Sequence, residues 1–251
     1  MGSLFDVVTY LDETMRTAEI ADWSGAMNGL QLENDGALRK IGAAVDATLP
    51  VIEKAVAVGV DLLVVHHGLF WAGVQSIRGP LHRKLKVAMD ANLAIYSSHL
   101  PLDLHPTFGN NVLLASKLGI SEMEPFFPEK GQLIGMRGRL DIRRDQLTIL
   151  LAEVLGTAPH LAPGGPEHVR NVGIVTGGAG AEVARAASLG VDTFITGEGP
   201  HHSFGMAEEL GVNLFYGGHY ATETFGVKAL AAHLSERFAL PWQFIDHPSG
   251  L

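Results

Sequence analysis

The chain has 251 residues, is 47% hydrophobic with few aromatics, and carries 30 glycines, no cysteine and a formal net charge of −9. That length is enough for one large α/β domain or two fused halves, and the composition suits a soluble α/β protein rich in tight turns. The acidic balance argues against a nucleic-acid surface, and without thiolates or disulfides any metal must be held by carboxylates and the 12 histidines.

The opening Met1-Gly2-Ser3-Leu4-Phe5-Asp6 lacks the basic stretch and apolar core of a secretory signal. No apolar run approaches the roughly 18 residues of a membrane span, so a cytoplasmic location and no membrane partner are expected. Ser3 caps a first amphipathic helix with Leu4, Val7, Val8, Leu11 and Met15 on one face, and Asp6 completes an acidic variant of a capping box. This helix ends before Trp23. Asn28-Gly29-Leu30-Gln31-Leu32 reads as a turn into a short strand, and Ile41 to Val45 as the next strand. Pro50 starts a helix that runs to Gly59, its C-cap.

Asp61 to Val65 is a continuous apolar strand of the kind buried on both faces of a parallel sheet. A helix around Leu81 to Ala91, a strand Leu93 to Ser97 and a helix Asn110 to Leu118 give the order βαβαβα. Pro125 and Pro128 mark a connection, followed by a strand Leu133 to Leu140 and a helix Gln146 to Leu155. From Val172 the pattern returns: strands to Thr176, Thr193–Thr196 and Asn213–Tyr216, alternating with helices to Leu189 and Leu210. A helix from about Thr222 to Ser235 and a strand Trp242 to Ile245 close the chain.

The second run repeats residues as well as elements. Ile41-Gly42 matches Val172-Gly173, and Gly59-Val60-Asp61 matches Gly190-Val191-Asp192, both 131 residues apart. After a gap of 11 the offset becomes 120, which lays Tyr96-Ser97-Ser98-His99 over Tyr216-Gly217-Gly218-His219 and Asp103 over Glu223. The pattern predicts an internal duplication into two similar α/β halves: residues 1–124, a short bridge 125–170, and residues 171–251. Active groups are expected where strand carboxyl ends meet, the usual ligand position in open α/β sheets.

Three motifs stand at such ends. His66-His67-Gly68 ends an apolar strand, where Gly68 allows a turn that lets the two imidazoles converge; two structural histidines are the alternative. His219 and Glu223, if helical, share a face about 6 Å apart along the axis, as ligands of one site or as a turn whose acid favours the helix dipole. His99 and Asp103 flank Leu100-Pro101-Leu102, where the proline is expected to force a loop. The aspartate in that apolar loop calls for a positive partner, a metal, unless it is a loop cap. Mixed His and carboxylate donors admit Zn, Mn, Fe, Co or Ni. Five or six ligands exceed what one catalytic metal needs, so two divalent ions sharing a carboxylate are expected.

Together His66-His67-Gly68, His99-Leu100-Pro101-Leu102-Asp103, Gly218-His219-Tyr220-Ala221-Thr222-Glu223 and Asn28-Gly29-Leu30-Gln31 resemble the dinuclear-metal family of GTP cyclohydrolase I type 2 homologues, also called NIF-three-like. The resemblance spans almost the whole chain. It implies His66, His67, Asp103, His219 and Glu223 as metal ligands, with Glu223 bridging. One metal would be held by His66 and His219, the other by His67 and Asp103. It also implies a toroidal homohexamer whose metal sites face an internal cavity, in the compact form without the extra domain that some members insert between the halves.

The reading is a metal-dependent hydrolase acting on a small cyclic amide, amidine or heterocycle, nucleotide bases included, in which two metals generate hydroxide from a bridging water. The alternatives are a non-enzymatic metal-binding or metal-buffering ring and, less well supported, a dinucleotide-dependent oxidoreductase. Glu198, which the repeat lays over His67, His202 and His99 are the candidate proton-transfer or supporting groups. Thr176-Gly177-Gly178-Ala179-Gly180 is either a close-packed strand-to-helix turn or an anion-binding one. Val183 sits where a dinucleotide fingerprint needs its third glycine.

Overall fold

The computed structural model describes residues 2–251, and they form a mixed α/β protein with two sheets and flanking helices. The first helix, α1 (Leu4–Met15), buries Leu4, Val7, Leu11 and Met15 and opens on the full Ser3–Asp6 capping box, each side chain reaching the other's backbone amide. The chain continues through β1 (Gly29–Leu32), β2 (Ile41–Asp46), α2 (Leu49–Ala57), β3 (Leu62–His67), α3 (Gly79–Asp90) and β4 (Ala94–Ser97) to a single turn, α4 (Leu100–Asp103). The turn corrects the expected loop. Pro101 sits in its first turn, where a missing amide hydrogen costs no helical bond.

Next come α5 (Asn110–Lys117), β5 (Ser121–Glu129), β6 (Gln132–Arg143), α6 (Arg144–Leu155), β7 (His160–Pro163), β8 (His168–Ile174), α7 (Val183–Ser188), β9 (Thr193–Thr196), α8 (His202–Leu210), β10 (Asn213–Tyr216) and the short α9 (His219–Thr222). Pro125 and Pro128 lie inside β5 and not in a connection. They are tolerated because β5 is the edge of its sheet, with a partner on one side only. The antiparallel β7, at the other edge, was not expected. A long helix, α10 (Thr224–Phe238), and β11 (Trp242–Phe244) end the chain.

Two compact units result. One runs to His105 and includes Gly226–His247; the other holds Pro106–Phe225 and Pro248–Leu251. The bridging stretch expected at 125–170 thus supplies strands and a helix to the second unit, while β11 pairs in parallel with β2 of the first. The first sheet has the order β1-β4-β3-β2-β11, parallel except for β1; the second has the order β5-β6-β8-β9-β10-β7, with β8, β9 and β10 parallel. Each has its own apolar core: Val51, Ile52, Leu63, Val65 and Ile95 in one, Leu147, Leu151, Val172, Ile195 and Phe215 in the other. Among the described residues no helix is long and apolar enough to cross a membrane.

The entry to the parallel strands is pinned in the same way in both units. Asp61 accepts the backbone amides of Arg39 (2.7 Å) and Lys40 (3.0 Å). Asp192 accepts those of Arg170 (3.1 Å) and Asn171 (2.8 Å), the positions 131 residues later. Removing the acceptor strands two amides each time, so Asp61→Ala and Asp192→Ala are each expected to lower the stability of their unit by about 1–3 kcal/mol. Denaturant unfolding measures this; wild-type midpoints in both variants would show the contacts to be incidental.

Candidate metal centre

In the first unit, β3 carries its apolar run into His66 and His67 as its last two residues, so both histidines belong to the strand itself. Strand alternation would send them to opposite faces. At the strand end their rings nonetheless tilt together, with centroids 4.7 Å apart. His99, just past the adjacent parallel β4, brings its ring to 4.9 Å from His66 and 5.6 Å from His67. One ring nitrogen of each of the three lies within 4.8 Å of the others. The helical turn α4 then returns Asp103 to the cluster, with Oδ2 3.5 Å from His66 Nε2. His66 is wholly buried and the Asp103 side chain nearly so.

The opposite nitrogens are held from behind. His66 Nδ1 meets the Ser98 carbonyl at 3.0 Å, His67 Nδ1 the Asp46 carboxylate at 2.9 Å, and His99 Nδ1 the Asp22 carboxylate at 2.9 Å. An acceptor at Nδ1 fixes the proton there and leaves Nε2 as the donor atom for a metal, the arrangement that orients histidine ligands. Burial alone would raise the Asp22 carboxyl, but His99, the Asn28 amide and the Leu100 backbone amide outweigh it and hold it below the usual carboxylate range.

The Asn28–Gln31 stretch explains its own presence. Asn28 Oδ1 accepts the His99 amide (2.7 Å) and its Nδ2 donates to Asp22 (2.8 Å). Gln31 Oε1 accepts the Leu69 amide (2.6 Å), and its amide group donates to the carbonyls of Ala26 and Met27. One segment therefore braces both histidine motifs. A Cβ on Gly68 would collide with the Gln31 side chain, so that glycine serves close approach and not the turn expected from the sequence.

In the second unit, His219 opens α9 and Glu223 follows it, His219 Nε2 lying 3.2 Å from Glu223 Oε2. Glu223 is 3% exposed. His219 Nδ1 is held by Glu198 at 2.8 Å, the pattern seen at His66 and His67 again. Burial disfavours the charged ring, but Glu223 and Glu198 more than offset this and hold the His219 pKa up at about 9. The field that keeps a proton on this ring favours a metal cation in the same way. Gly177, at φ +73°, carries the backbone so close to Glu223 and His219 that a side chain there would overlap them.

The structure resolves the glycine-rich turn as a close-packed one. The Gly177, Ala179 and Gly180 amides donate to Thr222 Oγ1, Thr196 Oγ1 and the Glu198 carbonyl, which removes them from anion binding. Among the other expected groups, Glu198 touches His219 directly, and His99 is a full member of the first cluster. His202, the first residue of α8, is exposed and joins neither. Asp46 and Asp22 are not singled out by the sequence, and Gln31 enters there only as part of the Asn28–Gln31 motif, with no role attached. For Asp46 a signal existed: it ends the apolar β2, whose pairing sets Asp46 opposite His67.

A family model described as Duf34/NIF3 (NGG1p interacting factor 3) matches residues 3–249. The GTP cyclohydrolase 1 type 2 homolog of Deinococcus radiodurans is 38% identical over 248 residues, 98% of this chain and 94% of its own. The protein of the same name from Pyrococcus horikoshii is 40% identical over 250 residues, 98% of each chain. The crystal structure of TTHA1606 from Thermus thermophilus matches with a TM-score of 0.90 at 40% identity, covering 99% of this chain and 100% of its own.

Because the Asp22 carboxyl is depressed in the fold, its contribution to stability is present above the usual aspartate range and is lost as the pH falls through the lowered value. Asp22→Asn is therefore expected to cost about 1–3 kcal/mol near neutral pH, with the gap to wild type closing in acid. Unfolding midpoints followed against pH test this, and a gap independent of pH would contradict it.

Proposed function

Since the chain belongs to the Duf34/NIF3 family, we propose that it is a dinuclear metal-dependent hydrolase that opens a C–N bond in a small cyclic amide, amidine or heterocycle. The ligands assigned are His66, His67, Asp103, His219 and Glu223. The observation that carries the reading is that His66, His67 and His219 each commit Nδ1 to an oxygen and so turn Nε2 toward the ligand role. Donors and metals fit: imidazole and carboxylate suit Zn, Mn, Fe, Co or Ni. When bound, such metals supply Lewis acidity and an activated water near neutral pH.

The chain's own residues divide the remaining work. Asp46, Glu198 and the Ser98 carbonyl keep the ligand rings in one tautomer and one orientation. His99, with Nδ1 anchored by Asp22, presents its other nitrogen beside His66 and His67, where it would pass a proton to the departing nitrogen. Glu198 is partly exposed and links His219 to solvent, so it serves as a positioning group and a proton outlet. The name carried by the relatives, GTP cyclohydrolase 1 type 2 homolog, accords with hydrolytic ring opening. The assembly proposed with this reading is the toroidal homohexamer, which a molar-mass measurement tests.

Elemental analysis of protein purified without added metal is expected to give about two metals per chain, the number two-metal hydrolytic sites use, and clearly fewer in Glu223→Ala. Glu198→Gln is expected to keep its metals while turnover falls by about 10–100-fold. Absence of metal from wild type after reconstitution would sink the reading. Metal uptake with no hydrolysis across a panel of cyclic amides and heterocycles would favour a metal-buffering protein.

A further inference from the structure

The short turn α9 begins without the usual side-chain cap. Its N-cap position is Gly218, at φ +93°, which has no side chain to accept an amide. The acceptor comes from a distant part of the chain: the Tyr220 amide donates to the carbonyl oxygen of Leu251 at 3.0 Å. A Cβ on Gly218 would stand 3.3 Å from that same oxygen, so the glycine also leaves the room in which Leu251 sits.

The first unit has the same device. Leu100, 120 residues before Tyr220 and likewise the residue after a cluster histidine, donates its amide to Asp22 Oδ2 at 2.9 Å. Asp22 also meets His99 Nδ1, so one acceptor from outside the turn fixes both the turn and its histidine. In the second unit the two tasks are divided: Glu198 holds the His219 ring, and Leu251 holds the turn.

The segment Pro248–Leu251 is not kept in place by burial. Its residues are exposed, Leu251 at 67%, so they remove little apolar surface from water. The Leu251 amide donates to Ser249 Oγ at 3.1 Å, and Gly250 at φ +84° supplies the bend between them. The segment packs with the second unit, although Gly226–His247, which lead into it, belong to the first.

We infer that Pro248–Leu251 is a positioning strap, whose Leu251 carbonyl caps α9 and so holds His219 and Glu223 in register with each other. His219 is the first residue of that turn and Glu223 follows its last, with Nε2 and Oε2 3.2 Å apart. A turn of four residues does not sustain itself, because the first helical bonds cost more conformational freedom than they return. Without the Leu251 oxygen it frays from its amino end, where His219 stands. The strap stands on these contacts; its effect on metal affinity rests on the assignment of His219 and Glu223 as ligands.

Amide hydrogen exchange on metal-free, full-length protein reads the strap directly. Deleting Ser249–Leu251 is expected to speed exchange at Tyr220 by about two- to tenfold, the factor one ordinary hydrogen bond supports. Ser249→Ala, which frees the bend, is expected to move it the same way by less. Leu251→Ala keeps the carbonyl and should exchange as wild type does. Zn²⁺ competed against a chelator is then expected to bind about 10–100-fold more weakly to the deletion variant, the range for a lost supporting partner, and unchanged to Leu251→Ala. Tyr220 exchange that ignores the deletion overturns the strap. Faster exchange with wild-type zinc affinity overturns its positioning role, and equal losses in Leu251→Ala overturn the carbonyl as its agent. Zinc bound by no variant, wild type included, contradicts the metal reading, while the exchange contrast between the deletion and Leu251→Ala still supports the strap.

Discussion

An imidazole has two nitrogens, and a buried ring with neither committed has no preferred tautomer and little reason to keep one orientation. Here an oxygen at Nδ1 removes that freedom four times over: the Ser98 carbonyl for His66, Asp46 for His67, Asp22 for His99 and Glu198 for His219. Three of these oxygens lie at or just past the ends of parallel strands, so sheet register decides whether they arrive. Asp46 lies opposite His67 because β2 and β3 pair from Ile41↔Leu62 onward. A slip of one residue would turn His66 and His67 to each other's faces and leave Asp46 beside the wrong ring. The apolar residues that lock β3 in its sheet, Leu62 to Val65, therefore maintain the chemistry of the two histidines that follow them.

Much of this was legible in the residues. The buried parallel strands announce themselves as unbroken apolar runs, and Ser3 with Asp6 marks the first helix because the cap is a local device. His219 and Glu223 share one helical turn, so their spacing alone suggests their proximity. The misses have physical causes as well. Pro125 and Pro128 look like breakers because sequence does not reveal that β5 is an edge, where a missing amide hydrogen is harmless. Leu100–Asp103 looks like a loop because a proline in a helix's first turn is indistinguishable, by itself, from one that stops a helix. Asp22 meets His99 from 77 residues away, a distance no periodicity spans.

The two glycine-dependent approaches differ in kind. At Gly177 the backbone takes a conformation that side chains rarely adopt, and it also crowds Glu223. At Gly68 no left-handed dihedral is involved, and the nearest atoms a Cβ would meet belong to the Gln31 side chain, which holds the Leu69 amide.

That difference shapes how the sequence is able to vary. Gly177 is held by its own dihedral angle, so no change elsewhere relieves it. Gly68 is held by a neighbour 37 positions earlier in the chain, so its freedom depends on what stands at Gln31. Shortening residue 31 removes the nearest atoms a methyl at 68 would meet, but the Leu69 amide then loses its acceptor and must find another. Positions 31, 68 and 69 are thus physically coupled: a larger residue at 68 displaces the Gln31 side chain, and displacing it unbinds the Leu69 amide.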